Sequence, residues 1–161
     1  MESISLDTVD LRLLEELQRD ASQSNQALAE RVHVSPPTCR RRLHEAGLIE
    51  RQVAILNDDR LGPLLGHGLH AIGEVSLDHQ GAEALDAFEA RAVAEDAVQQ
   101  CWRVSPGPDF VLMVFAPDMP GYLALAQRLF TSDANVRNVK AFFSVKRAKF
   151  APYRPVAVAR T

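Results

Sequence analysis

Residues 24–47, SNQALAERVHVSPPTCRRRLHEAG, decide how the rest of the chain is read. Ser24 suits a helix N-cap, and Ala27, Leu28 and Val32 follow it at helical spacing until a break at His33-Val34. Ser35 then caps a second helix that opens on Pro36 and Pro37. A missing N–H costs nothing there, because first-turn donors have no intrahelical acceptor. Cys39, Leu43 and Ala46 stand at i, i+4 and i+7 and give this helix one narrow apolar stripe, which Gly47 ends as C′. Two short helices joined by a tight turn predict a helix-turn-helix.

The outer face of the second helix carries Thr38, Arg40, Arg41 and Arg42. Guanidinium groups and a small hydroxyl near a helix N-terminus suit phosphate oxygens and base edges in a major groove, so double-stranded DNA is the expected partner. A solvated basic face on a packing helix would have the same composition. Ser24, Asn25, Ser35 and Pro36 belong to the same expected DNA-binding set, with His44 toward the helix end. Arg51 stands where a cation contacting the DNA backbone would be useful.

Working outward, Asp7 and Asp10 make an acidic first turn, and Val9, Leu11, Leu13, Leu14 and Leu17 form the apolar face of a helix that covers the other two. Beyond Gly47, the alternation of Val53 and Ile55 predicts a short strand, or wing, before a turn at Asn57-Asp58-Asp59. Gly and Pro cluster in LGPLLG, 61–66, and mark a boundary. The expected organisation is therefore a winged helix-turn-helix over 1–50, a hinge strand and linker over 51–66, and a second domain over 67–161.

In that second domain 69–77, 98–104, 109–116 and 136–147 read as strands. Residues 82–94 read as a helix facing inward through Leu85, Phe88 and Val93, and 120–131 as a helix facing inward through Tyr122, Leu125 and Leu129. The β-α-β-β-α-β order predicts an α+β, ferredoxin-like sheet with two helices on one face. The other face must be buried by something else, and a second copy of the chain is the obvious candidate.

Composition narrows the function classes. With 161 residues, 47% of them apolar, the chain can build a core as one large or two small domains. Its net charge of −3 argues against a general nucleic-acid coater, so DNA binding must rest on a local patch. No acidic residue follows Asp133, whereas Arg137, Lys140, Lys146, Arg147, Lys149, Arg154 and Arg160 do; this basic stretch suits DNA, an acidic partner or a charged strand edge. No apolar run is long enough for a membrane span and the N-terminus is acidic, so a soluble cytoplasmic protein is expected.

Cys39 and Cys101 lie far apart and read as small apolar residues. His67 and His70 are the one close histidine pair, but residues three apart on a strand face opposite ways, so no metal site is expected. No nucleophile motif, phosphate loop or dinucleotide fingerprint appears, and no catalytic residues can be named.

Several phrases carry a resemblance: LDTVDLRLLEELQRD, SNQALAERVHVSP, EAGLIERQVAILNDDRLG, CWRVSPGPDFVLMVFAPDMPGY and VRNVKAFFSVKRAK. In this order, over about residues 5–150, they resemble the feast/famine regulators of the Lrp/AsnC family. The resemblance implies a winged helix-turn-helix for DNA and a ferredoxin-like effector domain. It also implies homodimers made by sheet packing, often assembled to tetramers, octamers or larger rings. An amino acid or related metabolite would be the effector, bound where dimers meet, with no other cofactor.

Carried over by position, the effector neighbourhood is Arg103, Ser105, Pro106, Gly107 and Asp109, with Met119 and then Phe142, Phe143 and Ser144. Asp109 suits an effector ammonium, or alternatively the N–H groups of its own turn. Phe142 and Phe143 are adjacent on a strand, so only one can line a given pocket. Core packing is the competing role for Phe143.

Two departures from the family pattern stand out. The recognition helix is shorter by about one turn, roughly 4.5 Å, which implies altered specificity or lower affinity. Pro106 replaces the family's glycine after Ser105 and removes a backbone donor that a ligand carboxylate could use. Two alternatives follow from the layout. Sirohaem decarboxylase subunits share it, but carry histidines where this chain has Asn57, Asp58, Asp59 and Arg60. A ligand-sensing assembly protein with impaired DNA binding is the other.

Overall fold

The computed structural model describes residues 6–35 and 43–156. The described chain falls into two compact units. One runs to Ile55 and takes in the residues from Lys149 onward; the other spans Leu56–Ala148. The expected linker is thus divided between the units, and the last segment belongs with the first unit rather than with the sheet.

In the first unit α1 spans Thr8–Arg19 and α2 spans Asn25–Val32. Asp7 caps α1 in a reciprocal capping box: its side chain accepts from the Asp10 N–H at 2.9 Å, while Asp10 accepts from the Asp7 N–H at 3.1 Å. Ser24 caps α2 by accepting from the Ala27 N–H. His33 ends α2 in the left-handed region at φ 59°, which accounts for the break in the pattern. Arg31 on α2 reaches Glu16 on α1 at 2.8 Å.

Leu13, Leu17, Leu28, Ala29, Val32 and Leu43 are the buried core, with Val9, Leu14, Val34 and Ile49 against it. Leu43 thus faces inward as its stripe predicts. Residues 43–45 are helical and Gly47 follows at φ 65°, the left-handed stop expected of it. The expected wing differs. Residues 48–57 form no strand, and Val53 and Ile55 are 66% and 57% exposed, because their alternation has no ladder partner among the described residues.

The segment after Lys149 completes this unit. The Gln18 side-chain amide donates to the Arg154 carbonyl at 3.0 Å and accepts from the Arg154 N–H at 2.8 Å, as a neighbouring strand would. Pro152, Pro155 and Val156 join Leu14, Leu17, Leu48 and Val53 around a cavity of about 780 Å³ beside α1.

In the second unit Asp58–Leu65 is a helix, α3, where the sequence predicts a turn and a Gly-Pro boundary. Asn57 accepts from the Arg60 N–H, and Asp58 and Asp59 occupy the positive end of the dipole. Pro63 sits inside the helix, and Gly66 ends it at φ 90°. The order then is β1 Leu69–Leu77, α4 Ala82–Ala94, β2 Val98–Arg103, β3 Phe110–Ala116, α5 Met119–Ala126 and β4 Val136–Phe143, with a π-helical turn Gln127–Thr131 after α5.

The sheet is antiparallel with strand order β2-β3-β1-β4, the split arrangement expected. Alternate residues Ala71, Val75, Leu77, Phe110, Leu112 and Val114 pack with Phe88 and Ala92 of α4 and Tyr122 and Leu125 of α5, so both helices cover one face. On α4 Ala92 turns inward and Val93 is 69% exposed, contrary to expectation: Leu85, Phe88 and Ala92 make the i, i+3, i+7 stripe. The last strand ends at Phe143 rather than running to 147.

If the Gln18–Arg154 pairing holds the segment after Lys149 in place, Gln18→Ala should speed hydrogen exchange at the Arg154 amide at least about tenfold without changing exchange in β1. Unaltered protection of Arg154 would show that the amide pair does not hold it.

Candidate DNA-binding and effector sites

Of the expected DNA-binding residues, Pro36, Thr38, Arg40, Arg41 and Arg42 lie outside the described residues, as does Cys39 of the apolar stripe. Among the others, Ser24 is committed as the cap of α2, Asn25 opens that helix and is exposed, and Ser35 is exposed where the described stretch breaks off. His44 is exposed on the helical turn 43–45, while Leu43 beside it is buried. Arg51 is 77% exposed, 4.0 Å from Glu50.

The effector set divides into two groups. Arg103, Ser105, Pro106, Gly107 and Asp109 lie where β2 passes into β3. Register places Phe110 opposite Val75, whereas Ala116 stands opposite Leu69 at the far end of β3. Met119 follows that far end, and Phe143 pairs with Ala71 there. The six steps from Phe110 to Ala116 cover about 20 Å. A single chain therefore does not bring the two groups into one pocket.

Within the first group two side chains are engaged inside their own chain. The Arg103 guanidinium donates to Asp86 and to Glu89 of α4, each at 2.7 Å, and lies 5.7 Å over the Phe110 ring. Those carboxylates, Asp86 first, hold its pKa above the ordinary arginine value. Asp109 Oδ2 accepts from the Leu77 N–H at 2.7 Å and lies 3.4 Å from the Gln80 amide. Its backbone bonds Val75 and Val104. This is the local-turn role, fastening the β2–β3 loop to the end of β1. The Ser105-Pro106 peptide is cis, and Gly107 takes φ 122°.

In the second group Phe142 and Phe143 do point to opposite faces. The Phe143 ring meets Tyr122 edge-on at 4.9 Å on the helix side, and burial pushes the Tyr122 hydroxyl pKa up. Phe142 stands opposite Ile72 on the face away from α4 and α5. Met119 is 43% exposed at the start of α5, and the Ser144 N–H donates to the His70 carbonyl. Cys101 packs against the core, and burial pushes its thiol pKa up, consistent with an apolar role.

The face opposite α4 and α5 carries an apolar patch alongside Glu74, Lys140 and His70. Ile72 pairs with Met113 and Phe142, Phe115 pairs with His70, and Trp102 pairs with Val111, so these side chains share one surface. Trp102 is 58% exposed, Phe142 52%, Phe115 37% and Ile72 36%.

Residues 6–45 match the AsnC-type helix-turn-helix domain, and residues 70–153 match the Lrp/AsnC ligand binding domain. The chain belongs to the Lrp/AsnC family. It is 36% identical over 151 residues to the leucine-responsive regulatory protein of Rhizobium meliloti, covering 92% of this chain and 94% of that relative. It is 29% identical to the DNA-binding transcriptional activator DecR of Escherichia coli, covering 94% and 99%.

Among solved structures, a transcriptional regulator of Neisseria meningitidis in complex with L-Met superposes with a TM-score of 0.79. The identity is 28%, over 94% of this chain and 97% of that one. An AsnC family regulator from Agrobacterium tumefaciens gives the same TM-score at 25% identity, covering 93% and 97%.

As an Lrp/AsnC member the chain is a DNA-binding transcriptional regulator with a small-molecule ligand-binding domain, and not an enzyme. The sirohaem decarboxylase alternative is thereby set aside. Among the described residues, no helix is long and apolar enough to cross a membrane.

The sequence did not reveal α3, although Asn57 followed by two aspartates is an N-cap signal. Nor did it reveal the cavity that α3 helps to enclose.

The bonds of Asp109 define a discriminating experiment. Asp109→Ala leaves the Leu77 N–H unmatched and should lower stability by about 1–3 kcal/mol, while Asp109→Asn, which keeps an acceptor, should retain most of it. Equal thermal melts for the alanine variant and the parent would remove the turn-fastening role.

Proposed function

We propose that this regulator works in the cytoplasm as a homodimer, assembling to tetramers or octamers, and that an amino acid bound where copies meet shifts its occupancy of DNA. The observation that carries this reading is the division of the effector residues between two ends of one sheet. Two copies can bring the 103–109 loop of one to the Met119 and Phe143 end of another, whereas one copy cannot. The L-Met complex of the Neisseria meningitidis regulator supports the amino-acid class.

The apolar patch on the face opposite α4 and α5 supports the dimer. Trp102, Ile72, Phe115 and Phe142 expose a contiguous patch of the kind that marks an interaction surface. In this reading Arg40, Arg41 and Arg42 contact phosphates and base edges, with Thr38 and Ser35 near the groove, and Arg51 contacts the backbone. The mechanism is linkage: an amino acid with different affinity for two assemblies shifts the population able to place paired helix-turn-helix units on DNA half-sites.

Two measurements bear on it. Ile72→Glu puts a charge in the centre of the apolar face, and light scattering should then find monomers where the parent forms dimers or larger. A variant of parental size would refute the sheet-packed dimer. Arg41→Ala should weaken binding to the cognate promoter and make its salt dependence shallower, with assembly size unchanged. The log–log slope should fall by roughly one for each phosphate that is no longer neutralised. A parent that binds promoter and random DNA equally would favour an assembly protein with impaired DNA recognition.

A further inference from the structure

The chain passes between its two units twice, and the two passages are matched. In the second unit their ends are clasped together. Arg147 reaches Asp58 Oδ2 at 2.8 Å, with His70 Nε2 3.8 Å from the same oxygen, on the wall of the cavity of about 360 Å³ that α3 helps to enclose. In the first unit Val53 of the outgoing passage and Pro152 of the returning one line the same cavity beside α1. Residues 54–57 and 148–151 bridge these two sets of anchors, four residues each.

The returning passage is anchored through its backbone. Gln18 bonds both the N–H and the carbonyl of Arg154, as a neighbouring strand would. Pro152 and Pro155 lie on either side of Arg154, and each fixes its own φ near −65°, which lowers the entropy lost when the segment is held. Pro155 and Val156 line the cavity with Leu14 and Leu17 of α1. From anchor to anchor each bridge spans at most about 18 Å when fully stretched. A unit joined by one such bridge can turn about it, whereas a second bridge anchored with the first at both ends removes that rotation.

We propose that Lys149–Val156 is a specificity determinant for DNA: a second tether that fixes the orientation of the helix-turn-helix unit, and through it the half-site spacing that a dimer accepts. Gln18 is then a positioning residue that acts through Arg154. The inference rests on the reading above that paired copies place two such units on DNA. Two units of fixed orientation engage both half-sites at one helical phase, and singly tethered units would do so at several.

The test measures binding of the full chain to duplexes carrying two copies of the half-site that the parent selects from a random pool. The half-sites stand at the selected spacing, then about 5 and about 10 base pairs further apart, half a turn and one turn of the duplex. The parent should lose at least about tenfold in affinity at half a turn and recover part of it at one turn. Two variants slacken the tether. Gln18→Ala changes an exposed side chain, and an insertion of about eight glycine and serine residues between Ala148 and Lys149 leaves every side chain in place. Each should flatten the profile to within about threefold across the three spacings. A merely structural role would instead lower affinity equally at every spacing and leave the shape of the profile unchanged.

A profile that stays sharp in the insertion variant would overturn the tether while leaving paired DNA binding intact. A parent that selects no sequence, or is indifferent to spacing, would overturn the tether together with the paired half-site reading on which it rests.

Discussion

Everything in the second unit follows from β1 being hydrogen-bonded along both edges, to β3 on one side and β4 on the other, in antiparallel register. A central strand so fixed cannot slip by one residue, because that would turn Ala71, Val75 and Leu77 out of the core and His70, Ile72 and Glu74 into it. The period of two then distributes the chemistry. Phe143 goes under the helices with Tyr122, and Phe142 goes to the open face with Ile72. The loop after β2 and the end of β4 are held a strand's length apart. Asp109 strengthens the same constraint by bonding the β1 end through both its side chain and its backbone, so this loop is a fixed part of the sheet.

The first unit is built on a different principle. Among the described residues its helical segments share six buried residues, and side-chain contacts supplement that core. The reciprocal Asp7–Asp10 box, the Ser24 cap and the Arg31–Glu16 pair fasten the helices locally. Gln18 fastens Arg154 across more than a hundred residues of chain. The last point alters the anatomy expected from sequence: the segment after Lys149 leaves the sheet and completes the helix-turn-helix unit. The chain thus crosses between its units twice, at Ile55–Leu56 and at Ala148–Lys149.

What was legible in the sequence was whatever repeats or caps. Ser24, Asp7 and Gly47 act locally, through a backbone group within a few residues, and each stands where its side chain or its freedom at positive φ predicts. Strand alternation located the four strands of the sheet, and helical spacing located α4 and α5. The failures share a cause. Gly62, Pro63 and Gly66 have the composition of a breaker, yet Asn57, Asp58 and Asp59 start a helix strongly enough to carry Pro63 within it. Val53 and Ile55 alternate like a strand, but alternation cannot say whether a partner strand exists. The Gln18–Arg154 pairing and the Asp58–Arg147–His70 cluster join residues with no shared periodicity, so only the folded chain brings them together. The expected recognition helix carried the strongest functional signal in the sequence, through Arg40–Arg42 and the Ser35-Pro36-Pro37 start, and the match over 6–45 shows the helix-turn-helix domain that contains them.

Charge is where the units meet in function. The basic run after Asp133 suggests a second DNA-facing surface, but the sheet answers several of its members. Lys140 stands directly opposite Glu74 in the β1–β4 register, and Arg147 is paired with Asp58. Arg154 is placed through its backbone rather than its guanidinium. On the proposed reading Arg40, Arg41, Arg42 and Arg51 supply the phosphate contacts, four cations on a chain at −3 overall. A handful of phosphate contacts gives weak, strongly salt-dependent binding, while two such sets held at a fixed spacing act as one ligand with a high local concentration for the second half-site. In the proposed dimer the exposed apolar patch of the sheet and the small set of DNA-contacting cations are complementary features. The first would supply the pairing that so few phosphate contacts need in order to select a site.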